Sequence, residues 1–323
     1  MSRLDDAVSR RSLLKAGAVA ATTLGMAGLV GRTTEAAQAT QAPGIVVEAV
    51  QAAPHQQGMT IVDSHCHATP IWYGDIDAIL FEMNRNNVQH AMLVQIGGYF
   101  DNEYQFKAVE QYPGRFANVV LTDYSKPDAV QVLEQLAQRG ISGVRINANV
   151  RSPGDDPFAI WKAAARLGLS ITSGGQSADF ASEAFAQILQ MVPEVPVVIE
   201  HLGSVNNPTG DPRQTELRET VFGLARFPNA HLKIHGLGEF ATRALPVTEP
   251  FPFVQPIPPA FEMAYDAFGP RRMMWGSDFP LVNSREGYPL SLKLAMDQFK
   301  DKSEEDRAWI FGKTALKVFP VRA

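Results

Sequence analysis

The chain has a single cysteine, Cys66, so no intrachain disulfide can staple it in any redox compartment. Lysine and arginine number 29 in 323 residues, form no cluster beyond the first residues, and leave a net charge of −5, which argues against a nucleic-acid partner. No apolar run is a comfortable membrane span: the uncharged stretch Ala16 to Gly31 is short and rich in Ala and Gly. No G-x-G-x-x-G follows the first apolar run of the main body, so the usual mark of a dinucleotide-binding open sheet is missing. Apolar material is plentiful: 45% of residues are hydrophobic against 20% charged, enough for a large globular core.

The beginning of the chain reads as an address. Ser9-Arg10-Arg11-Ser12-Leu13-Leu14-Lys15 is a twin-arginine pattern, followed by the Ala/Gly run and the small residues Ala37-Gln38-Ala39. An amphipathic helix would need a polar face that this run lacks. The expectation is a signal over residues 1–39 cleaved near Ala39, export in the folded state, and a periplasmic or extracellular protein free of the membrane once the signal is removed. Residues 40–58 form a Pro/Gln/Ala linker, and residues 59–323 the folded domain.

Within that domain apolar, β-branched runs alternate with segments of helical periodicity. The expected strands are Thr60–Ser64, His90–Ile96, Phe116–Leu121, a run ending Gly143–Asn147, Leu169–Ser173, Val197–His201, His231–His235 and Met273–Gly276. The expected helices are Asp75–Asn86, Asn102–Gln111, Pro127–Arg139, Phe158–Leu167, Phe180–Met191, Thr215–Arg226, Ala260–Phe268, Leu290–Phe299 and Glu304–Phe311. Pro127 and Gly140 bracket one of them as a start and a stop. Eight strand–helix units in one α/β domain of this length predict a (β/α)₈ TIM barrel. The proline-rich stretch Pro246–Pro259 is too long for a simple connection and reads as an elaborated loop, a candidate lid.

Active-site groups of such a barrel come from the carboxyl ends of its strands, and the chemically interesting residues fall there. His65 and His67, one residue apart, share a face on strand one while Cys66 points away as apolar filler. Arg145 and Asn147 end strand four, His201 strand six and His235 strand seven, and Asp278 follows strand eight. His65, His67 and His201 with Asp278 form a ligand set suited to a divalent metal, Zn²⁺ first, and Asp278 beside them suits a general base. The alternative for Asp278 is a cap on the next helix. Arg145, with Arg151 six residues on, suits a clamp for a substrate carboxylate. The alternative for Arg145 is a salt bridge to Glu200 or Asp123, and for Arg151 a solvated loop charge. His55, His90 and His231 sit away from these ends and read as structural or solvated.

Asp63-Ser64-His65-Cys66-His67, Gly143-Val144-Arg145, Glu200-His201-Leu202-Gly203 and Met274-Trp275-Gly276-Ser277-Asp278-Phe279-Pro280, in that order, resemble the amidohydrolase superfamily. The likeness runs from about Thr60 to Phe319 and is to the amidohydrolase-related branch that includes 2-pyrone-4,6-dicarboxylate lactonase and sugar-lactone hydrolases. The resemblance implies a (β/α)₈ barrel with His65 and His67 as the strand-one pair, His201 as the strand-six histidine and Asp278 as the general base. It also implies substrate contacts from Asp101 and Asn102, and dicarboxylate binding by Arg145 and Arg151. One departure stands out. Metal-dependent relatives usually place a histidine or carboxylated lysine on strand four or five, where this chain has Arg145-Ile146-Asn147 and Thr172-Ser173-Gly174-Gly175. The lactonase branch includes metal-free members, so one divalent ion and a metal-free site both stay open; export of a folded protein suits cofactor loading before export.

The expected function is hydrolysis of a small carboxylate-bearing lactone or cyclic ester. His65, His67 and His201 polarise the carbonyl, Asp278 activates water, and Arg145, Arg151, Asn147, Asp101, Asn102 and His235 surround the substrate. The alternatives are a metal-dependent decarboxylase or hydratase on the same scaffold, and a non-catalytic periplasmic binder of small anions. The partner is a small anionic molecule, not nucleic acid, and assembly into a homo-oligomer is left open.

Overall fold

The computed structural model describes residues 58–71, 76–205, 214–240, 253 and 259–322, all within the unit Ala49–Ala323. The expected signal, the linker through residue 57, and all of Pro246–Pro259 except Phe253 and Pro259 lie outside these residues. Parallel strands are buried on both faces and therefore read as nearly continuous apolar runs. Here eight of them follow one another in chain order around one nearly closed barrel. They are β1 Val62–Cys66, β2 His90–Val94, β3 Phe116–Val120, β4 Gly143–Arg145, β5 Ser170–Ser173, β6 Val197–Ile199, β7 Ala230–Ile234 and β8 Met273–Trp275.

The helices are α1 Ile76–Arg85, α2 Glu103–Gln111, α3 Ala129–Gln138, α4 Ala159–Arg166, α5 Ser177–Phe180, α6 Glu183–Met191, α7 Gln214–Phe222, α8 Ala260–Phe268, α9 Tyr288–Gln298, α10 Glu304–Ala308 and α11 Thr314–Val318. Among the described residues no helix is long and apolar enough to cross a membrane. Where a single helix Phe180–Met191 was expected there are two, because the extended Ser182 (φ −77°, ψ 148°) interrupts the run and its hydroxyl accepts from the Phe185 amide to cap α6. The helix expected from Pro127 starts at Ala129. Strand six stops at Ile199, two residues short of His201, because the backbone turns left-handed there.

Inside the barrel Val62, Met92, Val94, Ala117, Val119, Val198 and Met274 pack on Ala315, Val318 and Phe319, so the C-terminal helix floors the barrel at the end away from the site. Ser170 Oγ donates to the Val318 carbonyl at 2.6 Å and Ser142 Oγ to Pro320 at 2.8 Å, fixing that plug in place. The plug makes the barrel one-ended. Only the carboxyl ends of the strands are left to form a cleft.

Strict alternation along β1 would put Val62, Ser64 and Cys66 on one face. The pairing Asp63↔Ala91 followed by Cys66↔Leu93 sets three residue steps against two, an irregularity that reverses the alternation. Val62 therefore faces the interior cluster while Cys66 packs outward in the main core, its thiol on the Met92 carbonyl at 3.5 Å. His65 and His67 consequently face inward with Val62.

The barrel closes beyond the end of β8. The Asp278 amide donates to the His65 carbonyl at 2.8 Å and the His67 amide to the Phe279 carbonyl at 2.7 Å. Beside them Asp63 accepts from the Ser277 amide (2.8 Å), Ser277 Oγ (2.6 Å) and Tyr288 Oη (3.0 Å). The two chain segments pass so closely at Gly276 that a Cβ there would sit 2.6 Å from the Cβ of His65. Gly276→Ala is therefore expected to destabilise the fold by about 1–3 kcal/mol in denaturant titrations; wild-type stability would show that the seam is not tightly closed.

Candidate functional site

His67 lies just past β1, and its Nδ1 is 2.7 Å from the Val94 carbonyl. A carbonyl only accepts, so Nδ1 carries the proton and Nε2 faces Asp278 Oδ1 at 3.3 Å. His65 Nε2 is 3.8 Å from the same oxygen, and the two rings meet edge to face with centroids 4.8 Å apart. Asp278 and His201 both sit in the left-handed region, at φ 58° and 50°, and the turn continues through Leu202, Gly203 and Ser204 at φ 52°, 66° and 57°. Strain of this kind in non-glycine residues persists where surrounding structure enforces it, and functional sites are its usual address.

Burial works against charge on Asp278, but the rings of His67 and His201 beside it prevail and hold its carboxyl below the ordinary value. His201 Nδ1 is 2.7 Å from Glu239 Oε1. Burial opposes an imidazolium there too, yet Glu239, with Asp278 and Glu200 beyond it, lifts His201 to about 9. His235 stacks on His201 with centroids 4.1 Å apart; burial and His201 push it well below the usual imidazole range. The turn through Gly236-Leu237-Gly238 that follows His235 uses no left-handed glycine: Gly236 has φ −74°. The two glycines instead make room for the carboxyl of Glu286, which a Cβ on either would strike.

Four charged residues of the site were not anticipated. Lys233 on β7 is fully buried, with Nζ 3.2 Å from His65 Nδ1 and 2.9 Å from Thr172 Oγ1; burial, against the pull of Glu200, lowers it to about 8. Glu239 and Arg285 are the other two that touch the chemistry: Arg285 Nη1 reaches Asp278 Oδ2 at 3.1 Å and Glu239 Oε1 at 3.3 Å. Glu286, pushed up to about 7 by burial, lies behind Arg285 with 3.7 Å between them. Lys233 carried one signal in the sequence, a lone charge inside an apolar strand; Glu239, Arg285 and Glu286 lie in loops and carried none.

The arginine clamp differs from expectation. Arg145 Nη2 is 2.6 Å from Glu200 Oε2 and Nη1 donates to the Gln95 carbonyl at 2.9 Å, so its charge is met within the protein, by one of the two acids named as alternatives. Burial opposes ionisation of Glu200, but Arg145 and Lys233 overcome it and bring Glu200 down to about 2. Arg151 turns back to the Ala148 and Val150 carbonyls at 3.2 and 2.7 Å and covers the Phe158 ring. Asn147 is exposed at the mouth. Asp101 Oδ1 accepts from the Glu103 amide at 2.9 Å, and Asn102 is buried, bridging Phe100 and Leu121 backbone groups, so both order the loop after β2. His90 and His231 hold the Gly114 and Asn229 carbonyls, at 2.7 and 3.0 Å.

His65, His201 and Asp278 offer ligand atoms within 4.8 Å of one another, and a second such group joins His201, His235 and Glu239. Among the described residues His65 Nε2, Asp278 Oδ1 and both nitrogens of His235 are buried without a hydrogen-bond partner. Converging, unpartnered imidazole and carboxylate donors are what a divalent cation requires, so the residues fit an ion.

The amidohydrolase family model matches residues 62–321. No curated protein matches the chain. Among solved structures, a probable 2-pyrone-4,6-dicarboxylic acid hydrolase from Acinetobacter baumannii, with citric acid bound, is 18% identical with a TM-score of 0.61, covering 81% of this chain and 99% of that one. An amidohydrolase from Burkholderia multivorans with bound Zn is 19% identical, TM-score 0.63, over 81% and 99%. A 5-carboxyvanillate decarboxylase from Sphingomonas paucimobilis is 16% identical, TM-score 0.55, over 82% and 100%. At such identities the likeness is one of fold. With a family match over nearly the whole barrel and its polar residues gathered at the carboxyl ends of the strands, this chain belongs to the amidohydrolase family and is an amidohydrolase-type enzyme.

Proposed function

We propose that the protein hydrolyses a small carboxylate-bearing lactone or related cyclic ester after export by the twin-arginine route. The observation that carries the reading is the position of Asp278 Oδ1, 3.3 Å from His67 Nε2 and 3.8 Å from His65 Nε2. A carboxylate kept ionised beside imidazoles can take a proton from water and return it to the leaving oxygen. His65 and His201 polarise the substrate carbonyl from the same rim, and the buried surroundings strengthen both interactions. His201, held by Glu239, meets the developing negative charge as a cation. Arg285, whose Nε and Nη2 make no hydrogen bond among the described residues, replaces the Arg145–Arg151 clamp as the first contact for the substrate's carboxylate. Arg145, 14% exposed, keeps Glu200 ionised behind the site.

A divalent ion, Zn²⁺ first, would be held by Asp278 with His201, His67 and His65, and when bound would polarise the carbonyl and acidify water. The convergence of His65, His201 and Asp278 ligand atoms within 4.8 Å also favours a second reading, a decarboxylase, whose chemistry leans more heavily on an ion. The two separate on their products. Lactonase activity releases acid without CO₂ from carboxylated lactones; decarboxylation releases CO₂ from carboxylated phenols. The test is a panel of both substrate classes assayed with and without chelator. Acid release from the lactones that survives chelation supports the metal-free form of the lactonase reading, and CO₂ release abolished by chelation overturns that reading for the second.

Asp278→Asn is expected to lower kcat about 10³-fold or more with KM within about threefold, since an amide cannot accept the proton. Unchanged turnover would remove Asp278 as the base. With His201 lifted to about 9 it is charged below that pH, so kcat/KM should fall as pH rises through that value. Glu239→Gln removes the main support, and the alkaline limb should then move about one pH unit or more toward the ordinary imidazole value. A limb that stays in place would show that His201 is not the titrating group.

A further inference from the structure

Lys233 is fully buried in the barrel interior, with the Phe319 ring of the floor 5.3 Å from Nζ on one side and the polar rim on the other. Its neighbours fix the direction of each hydrogen bond. Glu200, paired with Arg145 at 2.6 Å, is a carboxylate and only accepts, so Thr172 Oγ1, 3.0 Å from Glu200 Oε1, gives its one proton there. Thr172 can then only accept from Lys233, 2.9 Å away. An ammonium has three N–H groups and no lone pair, so its contact with His65 Nδ1 at 3.2 Å also runs outward from the lysine. The competing partner for a proton on that nitrogen, Glu200 Oε1, is 3.7 Å distant, beyond hydrogen-bond reach. An Nδ1 that accepts is bare. The proton of neutral His65 then sits on Nε2, the atom that is buried, unpartnered among the described residues and 3.8 Å from Asp278 Oδ1.

We infer that Lys233 is a positioning residue, anchored through Thr172 to Glu200, that holds His65 in the tautomer protonated on Nε2. In the ion-free protein His65 thereby enters the site as a hydrogen-bond donor to the substrate oxygen, and it can ligate an ion only once that Nε2 proton is lost. The inference rests on the proposed function only in assuming that the rim meets a substrate oxygen; the proton's location is a property of the free protein and is read without substrate.

The experiment is a long-range ¹H–¹⁵N correlation spectrum of the full ¹⁵N-labelled chain, with the His65 resonances identified by their loss in His65→Gln. The expected result is a protonated, pyrrole-like Nε2 and a bare, pyridine-like Nδ1. A protonated Nδ1, alone or together with Nε2, overturns the inference even if the protein proves to be a lactonase. Lys233→Met should abolish this pattern, lower kcat about 10- to 100-fold with little change in KM, and tighten Zn²⁺ binding about tenfold as Nε2 becomes free to ligate. Thr172→Val, which cuts the anchor with less disturbance to the interior, should shift the same resonances in the same direction. An unchanged His65 spectrum in both variants overturns it as well.

Discussion

Everything at the catalytic rim depends on how the last strand meets the first. Asp63, beneath the two site histidines, gathers the amide and hydroxyl of Ser277 and the hydroxyl of Tyr288, while the His65 carbonyl takes the amide of Asp278. Chain segments more than 200 residues apart, the hydrogen bond between Asp63 and Ser277 spanning 214, are thus locked into one register. That register forces Asp278 into a left-handed conformation and aims its carboxylate at His65 and His67. Burial raises the Asp63 carboxyl to about 6 even though its buried hydrogen bonds pull the other way.

Behind the rim the charges alternate in sign. Arg145, Glu200 and Lys233 make one buried chain; Arg285, Glu239 and His201 make another, with Asp278 joined to the second by Arg285. Buried ions are tolerated when each has a partner, and removing one member strands its neighbour in low dielectric. The paired arrangement also explains why Arg145 is not a free hook for substrate. Its counter-charge is already built in; Arg285 keeps two donors without a hydrogen bond among the described residues, against one for Arg145.

The barrel was legible because buried parallel strands leave a nearly continuous apolar trace, as in Val197–Ile199 and, with Asn118 as its one polar residue, Phe116–Val120. The gathering of His65, His67, His201, His235 and Asp278 followed from strand ends alone. Alternation gave the right facing for the His65–His67 pair and for Cys66, although a pairing irregularity after Asp63, invisible in the residue types, separates them from the parity of Val62. Loops hid the rest. Glu239, Arg285 and Glu286 sit on segments without periodicity, and only the folded chain brings them to His201 and Asp278. Lys233 is the opposite case. Its polar stem inside an apolar strand is a local contradiction of pattern, and such contradictions tend to mark functional positions. Arg145 reads as a substrate contact because a strand arginine is costly to bury without an anion; that Glu200, just past β6, supplies the anion shows only in the fold.

The most direct test of the seam as the organising constraint is Asp63→Ala, followed by both denaturation and steady-state kinetics. Loss of its buried hydrogen bonds should cost roughly 3 kcal/mol of stability. In the fraction that remains folded, displacement of Asp278 from the histidines should lower kcat about 100-fold while substrate affinity changes little. A folded Asp63→Ala protein with wild-type turnover would contradict the account, because it would mean that Asp278 finds its place without the closure of the barrel.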